Sequence, residues 1–373
     1  MRIRVLVPAF LAALALAAPA IAAPPSVHAR AYFIENAATG ETLAAYHARQ
    51  RLPMASITKL MTVLLTLEHA KLGATVTVGR GVSPGGSSIY LHQGDRLTVR
   101  ELVEGALIQS ANDAAVALAD YVGHGDRARF IAMMNRRARQ LGLRDTHFVR
   151  PDGLDAPRHY SSARDLTLLG RVLMNKPFVR KTVRMRSATI AGGRHLTTWN
   201  DLLSTFPGVI GVKTGHTGNA GWCQVAAVRA PGMTVYATIL GEPTRAERND
   251  DLAKLLRWGL SRYRVTTLIG PHRVYATART SFGRGPVELV AEHGVRTPVR
   301  VGRRLREEVV APTAVALPVD RGERFGVVRV YDRNRVVASA PLVAAKSMSD
   351  PGVASRAGWY ATRVGKTIVG WLP

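Results

Sequence analysis

The chain has 373 residues, 47% of them hydrophobic and 21% charged. That length suits about two domains, and the composition excludes a largely disordered protein. Lys and Arg number 51 against 26 Asp and Glu, a formal net charge of +25. Such a surplus points to an acidic partner: nucleic acid, an anionic membrane or an anionic polymer. The single cysteine, Cys223, excludes an internal disulfide framework and any Cys-cluster zinc site.

Residues 1–23 choose among those partners. Arg2 and Arg4 precede an apolar run from Val5 to Ala18, and Ala20-Ile21-Ala22 follows with small side chains. This is the three-part pattern of a secretory signal peptide, and the run is shorter than the ~20 apolar residues of a spanning helix. The mature chain is expected to start near Ala23 and to act outside the cytoplasm. Nucleic acid then drops off the list of partners.

From Ala31 to Ile269 the pattern is mixed helix and strand. Tyr32 to Ile34 and Leu43 to Tyr46, on either side of Thr39-Gly40, predict a hairpin. Ile57, Leu60, Met61, Leu64 and Leu65 recur with helical period and predict a helix with one buried face. Further helices are expected over 98–122, 126–141 and, opened by a Ser162/Asp165 capping box, as far as Met174. Val209–Val212, Trp222–Val228 and Thr234–Leu240 predict strands, the last two joined at Pro231-Gly232. A last helix is expected over about 246–262. After Gly270-Pro271, short alternating segments between Gly and Pro turns predict a small all-β domain ending near Ala345. The expected organisation is a leader (1–23), a mixed α/β domain (24–269), a β-rich domain (270–346), and a linker with an amphipathic tail (347–373).

Three short elements could carry chemistry. Ser56 and Lys59, three apart at the start of the first amphipathic helix, share a face about one turn apart. A serine hydroxyl needs a base within hydrogen-bond reach, and a buried lysine near other positive charge becomes one, since both effects disfavour the ammonium form. Ser110-Ala111-Asn112 lies between two Ala- and Leu-rich helical stretches, where a helix break with a polar cap is the plainer reading. Lys213-Thr214-Gly215 ends the apolar strand Val209–Val212. There a glycine would let a substrate backbone lie close, and Lys213 and Thr214 could hold a carboxylate.

Each element alone is weak, but together and in this order they are specific. The sequence resembles the penicillin-interacting serine enzymes, whose three signatures stand here as Ser56/Lys59, Ser110/Asn112 and Lys213/Thr214/Gly215. The surrounding text, Ala55 to Thr62, Pro151 to Asp155, His159 to Asp165 and Gly211 to Thr217, is similar to the low-molecular-mass penicillin-binding proteins of the D-alanyl-D-alanine carboxypeptidase type. The resemblance covers nearly the whole chain. It implies a penicillin-binding/β-lactamase-like transpeptidase fold of the α/β (α+β) class, an antiparallel sheet flanked by helices, followed by the small all-β domain and an amphipathic C-terminal helix. It also implies that Ser56 is the nucleophile, Lys59 the acylation base and Ser110 a proton relay tuned by Lys213. Asn112 would bind the substrate amide, and the backbone N–H groups of Ser56 and His216 would form the oxyanion hole. Thr214 and Arg248 would recognise the terminal carboxylate, and His159 would support the loop beneath it.

The implied substrate is the peptidoglycan stem peptide, with β-lactams as inhibitors and no metal or organic cofactor. Rival readings are a D,D-endopeptidase, which shares all three motifs, and a non-catalytic wall-binding protein on the same fold. A β-lactamase is disfavoured by the absence of a clear Glu-x-x-x-Asn segment. Residues 353–373 carry Arg356, Arg363 and Lys366 and no acid, with Tyr360, Val364, Ile368 and Trp371 on one helical face. That predicts a helix lying on an anionic membrane surface, the alternative being a helix packed on its own domain. The expected location is periplasmic, on the outer face of the cytoplasmic membrane. Cys223 is expected to be a small buried strand residue.

Overall fold

The structure, a computed structural model, describes residues 23–82, 85–282 and 284–360. Most of the expected leader and the tail positions Val364, Ile368 and Trp371 lie outside the described residues. Among the described residues no helix is long and apolar enough to cross a membrane.

The chain forms two compact units, Pro24–Tyr263 and the part from Arg264 onward. In the first, β1 (Ala31–Asn36) and β2 (Glu41–Tyr46) make the expected hairpin. There follow α1 (Lys59–His69), a ribbon of β3 (Thr75–Thr77) and β4 (Arg96–Thr98), then α2 (Val99–Glu104), α3 (Asn112–Gly123), α4 (Arg127–Gln140), α5 (Ala163–Met174) and α6 (Pro177–Thr182). A second ribbon, β5 (Ser187–Ile190) and β6 (Arg194–Thr197), and the short α7 (Leu202–Thr205) lead into β7 (Val209–Thr217), β8 (Gly221–Ala230) and β9 (Met233–Glu242). Helix α8 (Arg245–Ser261) closes the unit. The main sheet has the order β2-β1-β9-β8-β7, antiparallel throughout.

Both faces of that sheet are covered, which is why its central strands read as nearly unbroken apolar runs. With period two, Val225 and Ala227 of β8 point into one core with Leu60, Met61 and Leu64 of α1. Ala226 and Val228 point into the other, with Leu252, Leu255 and Leu256 of α8. Helix α1 differs from expectation: Lys59 to Thr66 are buried on every side rather than on one face. Its polar members are satisfied inside that core, Thr62 Oγ1 donating to the Pro151 carbonyl at 2.6 Å and Thr66 Oγ1 to the Thr62 carbonyl at 2.8 Å. Helix α5 starts where expected, with the Ser162 hydroxyl capping the Asp165 N–H, but only this half of the capping box forms. The Asp165 carboxylate is turned instead to the Asp145 N–H and the Thr146 hydroxyl.

In the second unit, β10 (Tyr263–Ile269) pairs with β13 (Val295–Arg300). That pairing draws the seven-residue strand toward the β-rich unit, so the division falls earlier than the expected 269/270 boundary. The remaining strands, β11 (Val274–Ala278), β12 (Val287–Ala291), β14 (Leu305–Val310), β15 (Arg324–Asp332) and β16 (Arg335–Ala344), form a five-stranded sheet of order β11-β12-β16-β15-β14. It is built on Leu289, Val328, Val330 and Leu342. Residues 353–360 are helical, and Phe282 meets the rings of Trp359 and Tyr360 at 5.7 and 6.1 Å. The described start of the tail thus packs on its own unit.

Candidate active site

Ser56 sits in a one-turn 3-10 helix, Ala55–Thr58, that runs directly into α1. The residue before it, Ala55, has φ +49°, a left-handed conformation that costs a non-glycine residue roughly 1–2 kcal/mol. Its surroundings hold it there. The Thr58 hydroxyl donates to the Ala55 carbonyl at 2.9 Å, and His159 Nε2 lies 2.8 Å from that hydroxyl oxygen. The Val149 N–H donates to His159 Nδ1 at 3.1 Å, so Nε2 carries the proton and donates to Thr58. Burial pushes the His159 pKa down to about 4, keeping the ring neutral in this role. His159 therefore supports the turn that carries Ser56, rather than the expected loop beneath the histidine. Gly153, at φ +91°, lies against the same turn, and a Cβ there would sit 2.1 Å from the Ala55 carbonyl oxygen.

Lys59 is the first residue of α1 and is fully buried. Its Nζ lies 2.8 Å from Ser56 Oγ, 2.6 Å from Asn112 Oδ1 and 2.5 Å from the Asp152 carbonyl oxygen. Burial is the main cause that brings its pKa down to about 7; Asp152 and Asp113 oppose it, and Arg150 reinforces it. A substantial fraction of Lys59 is then a neutral amine near neutrality, able to accept the serine proton.

Ser110 occupies the break between the π-helical turn Gly105–Gln109 and α3, at φ +63°. The left-handed kink lets Ser110 and Asn112 reach the same cleft. Lys213 Nζ donates to Ser110 Oγ at 2.8 Å and to the Thr214 carbonyl at 2.9 Å. Lys213 is buried, and burial, with Lys59 and Arg248 nearby, holds its pKa well below the ordinary lysine range. Asn112 Nδ2 donates to the Gly85 carbonyl at 2.6 Å, which fixes its amide and leaves one N–H for a ligand.

Lys213-Thr214-Gly215 does not end a strand, because β7 continues to Thr217 along β8. The close approach that Gly215 permits also differs from expectation. A Cβ there would stand 3.0 Å from Ser56 N and Ala55 Cβ and 3.1 Å from the Met54 carbonyl oxygen. The glycine lets β7 lie against the Ala55–Thr58 turn, which brings the backbone of Ser56 beside the strand. His216, exposed at the cleft, stacks on Trp222 with ring centroids 4.1 Å apart.

Ser56, Ser110, Asn112, Thr214, Gly215, His216 and Arg248 line one cleft of about 240 Å³, with Trp199, Trp222 and Leu154 as its apolar wall. Lys59 and Lys213 reach it from below through the two serines. Arg248, on α8, is fully buried yet opens on this cleft. One guanidinium nitrogen, Nη2, donates to Asn249 Oδ1 at 2.6 Å and Asp201 Oδ2 at 3.1 Å. The other, Nη1, has no partner, an unspent donor pair suited to a carboxylate. Burial lowers the Arg248 pKa from its ordinary value, but arginine stays charged at any physiological pH.

Several contributors went unrecognised in the sequence. Asp113 receives the N–H groups of Ile89 and Leu91 and the Ser88 hydroxyl, pinning the loop beside Asn112. Asp201 and Asn249 orient Arg248. Asp113 and Asn249 each stood one residue from a candidate position; Asp201 carried no local signal. Cys223 is a buried strand residue as expected, its thiol pushed up to about 12 by burial.

Residues 18–244 match the family profile of the S11 peptidases, described as D-alanyl-D-alanine carboxypeptidase. The chain is 30% identical over 328 residues to the D-alanyl-D-alanine carboxypeptidase DacF of Bacillus subtilis, covering 84% of each protein. It is 32% identical over 358 residues to DacD of Escherichia coli, covering 90% of this chain and 91% of that protein. Penicillin-binding protein 5 of Haemophilus influenzae superposes with a TM-score of 0.64 at 27% identity, over 88% of this chain and all of that one (100%). The Streptomyces K15 DD-transpeptidase does so with a TM-score of 0.61 at 33% identity, over 64% of this chain and 100% of that one. The chain belongs to the S11 family of D-alanyl-D-alanine carboxypeptidases and is a serine peptidase.

Proposed function

We propose that this enzyme removes the terminal D-alanine from peptidoglycan pentapeptide stems through an acyl-enzyme on Ser56. The carrying observation is the 2.8 Å Ser56–Lys59 pair, with a buried lysine whose pKa lies near 7. Neutral Lys59 takes the Ser56 proton as Oγ attacks the carbonyl carbon between the last two D-alanines. The developing oxyanion is met by the backbone N–H groups of Ser56 and His216, donors fixed before the charge appears. As the C–N bond breaks, the proton is relayed through Ser110, whose oxygen Lys213 holds, to the leaving amine. Asn112 binds the substrate amide, and Arg248 Nη1 with Thr214 receives the terminal carboxylate. Water then hydrolyses the ester. A β-lactam presents the same carbonyl and carboxylate and acylates Ser56 with slower release.

Covalent labelling by a fluorescent penicillin is expected in the parent and abolished in Ser56→Ala; undiminished labelling in that variant overturns the assignment. D-alanine release from a pentapeptide, run beside cleavage of a cross-linked dimer, distinguishes a carboxypeptidase from an endopeptidase.

We further propose that the enzyme is exported and held at the outer face of the cytoplasmic membrane by its tail. The basic start and apolar run of residues 1–23 support export, and the acid-free tail supports the anchor. Full-length protein should co-sediment with anionic vesicles, and a chain truncated after Ser349 should not. Equal sedimentation of the two removes the tail from this role.

A further inference from the structure

Glu242, the last residue of β9, is fully buried, and neither of its carboxylate oxygens has a hydrogen-bond partner. Native proteins leave few such groups, because an unmet buried acceptor forfeits its hydration without return. Its neighbours are themselves metal-ligating types. His28, Glu242 and Asp251 each place a ligand atom within 4.8 Å of the others. Asp251, buried on α8, accepts the His28 backbone N–H at 2.8 Å and lies 3.0 Å from His28 Nδ1. Its other oxygen takes Lys254 Nζ at 2.7 Å. The sign of this pocket is also reversed within a chain of net charge +25: two buried carboxylates face one partly exposed lysine and a histidine.

We propose that His28, Glu242 and Asp251 bind a divalent transition-metal cation, with zinc the best chemical match. One imidazole and two carboxylates are borderline donors of the kind zinc takes, at about 2.0–2.2 Å each in tetrahedral sites. Donor atoms around such an ion stand about 3.4 Å apart, and this trio starts within 4.8 Å, with the His28 ring exposed and free of the core. The ion satisfies the stranded Glu242 oxygens, and Lys254 orients Asp251 from outside the coordination sphere. Occupation ties the segment after Pro24 to the end of β9 and to α8. Asp251 lies three residues after Arg248 on α8, and Glu242 pairs across the sheet with Trp222 of the cleft wall. The site therefore steadies the elements behind the substrate cleft without touching the reacting atoms.

The test uses the full chain, stripped with a chelator and titrated with zinc chloride by calorimetry and thermal unfolding. A single saturable site is expected, raising Tm by about 5–10 °C at a hundredfold excess over Kd. The binding heat and the Tm rise should be lost in His28→Ala, Glu242→Gln and Asp251→Asn, each of which still acylates with penicillin and is thereby shown to be folded. No binding in the parent overturns the proposal, as does a zinc response that survives in Glu242→Gln. If Glu242→Gln raises Tm in chelated buffer while the parent ignores zinc, a shared proton joins the two carboxylates and the metal site is refuted.

Discussion

If Lys59 is the base, the rate at which Ser56 is acylated must follow the fraction of Lys59 that is neutral. With a pKa of about 7, roughly one-tenth is neutral at pH 6 and nine-tenths at pH 8, so acylation should rise about tenfold across that interval. An ordinary exposed lysine, with a pKa of about 10.4, would give about a hundredfold rise over the same two units and no plateau. The shape near pH 8 thus separates a buried base from a solvated one. The assay is stopped-flow acylation by a fluorescent penicillin, read as a second-order rate constant from pH 5.5 to 9. His216 lines the same cleft, so the profile is repeated in His216→Asn. His159 stays out of the window, its pKa held near 4 by burial. A rate that is flat from pH 6 to 8, or a slope that vanishes with His216, refutes Lys59 as the base.

Three other outcomes follow from the same geometry. Gly215→Ala places a Cβ 3.0 Å from Ser56 N; the nucleophile turn must give by a few tenths of an ångström, and acylation should fall about 10–100-fold, since small displacements of a reacting group carry that scale of loss. Unchanged acylation kinetics would show that the strand does not set the serine's position. Arg248→Gln should lower kcat/KM about 10–100-fold for a peptide ending in a free carboxylate, the worth of a charge-assisted hydrogen bond, while leaving its C-terminal amide nearly unaffected; equal losses on both would remove Arg248 from carboxylate recognition. His159 is neutral in the fold at pH values where the unfolded chain is protonated, so its contribution is complete above about pH 6.5 and is lost as pH falls through about 4. Urea unfolding should therefore show about 2–3 kcal/mol less stability at pH 4.5 than at pH 7 from this residue, a loss that His159→Gln should blunt.

What could be read in the sequence was whatever repeats with a local period or a fixed spacing. Strands β8 and β9 and helix α8 fall within a few residues of expectation because alternation and helical period carry them. Ser56 and Lys59 are found by a spacing of three, and Ser110 and Asn112 by the break they impose on a helix. What escaped is made by loops that meet across long separations. Nothing in Pro151 to Asp155 says that the Asp152 carbonyl receives Lys59 or that Gly153 must lack a side chain to clear Ala55. Nothing near Gly85 says that its carbonyl fixes the Asn112 amide. The all-round burial of α1 was hidden for a related reason: Thr62 and Thr66 look like a solvated face until the Pro151 and Thr62 carbonyls that accept their hydroxyls are seen.

Lys59, Lys213 and Arg248 put three buried basic side chains around one cleft, Lys59 against Ser56 and Lys213 against Ser110, and their mutual effect bears on how the proposed mechanism combines a base with an anion receptor. Lys213 is lowered by burial first, then by Lys59 and Arg248. Arg248 cannot release its proton in this range, so the repulsion it exerts is relieved at Lys213, which becomes neutral more readily. A substrate carboxylate entering the cleft works the other way: wherever it lies close, it favours the ammonium form and would disable the base. In the proposed mechanism the arrangement answers this by element and by partner. Arg248 comes from α8 and keeps Nη1 unpaired for the anion, while Lys59 comes from α1 and spends its bonds on Ser56, Asn112 and the Asp152 carbonyl. In the proposed mechanism, carboxylate recognition and proton abstraction thus fall to different basic side chains on different elements, a charged Arg248 and a neutral Lys59, joined by the substrate that spans them.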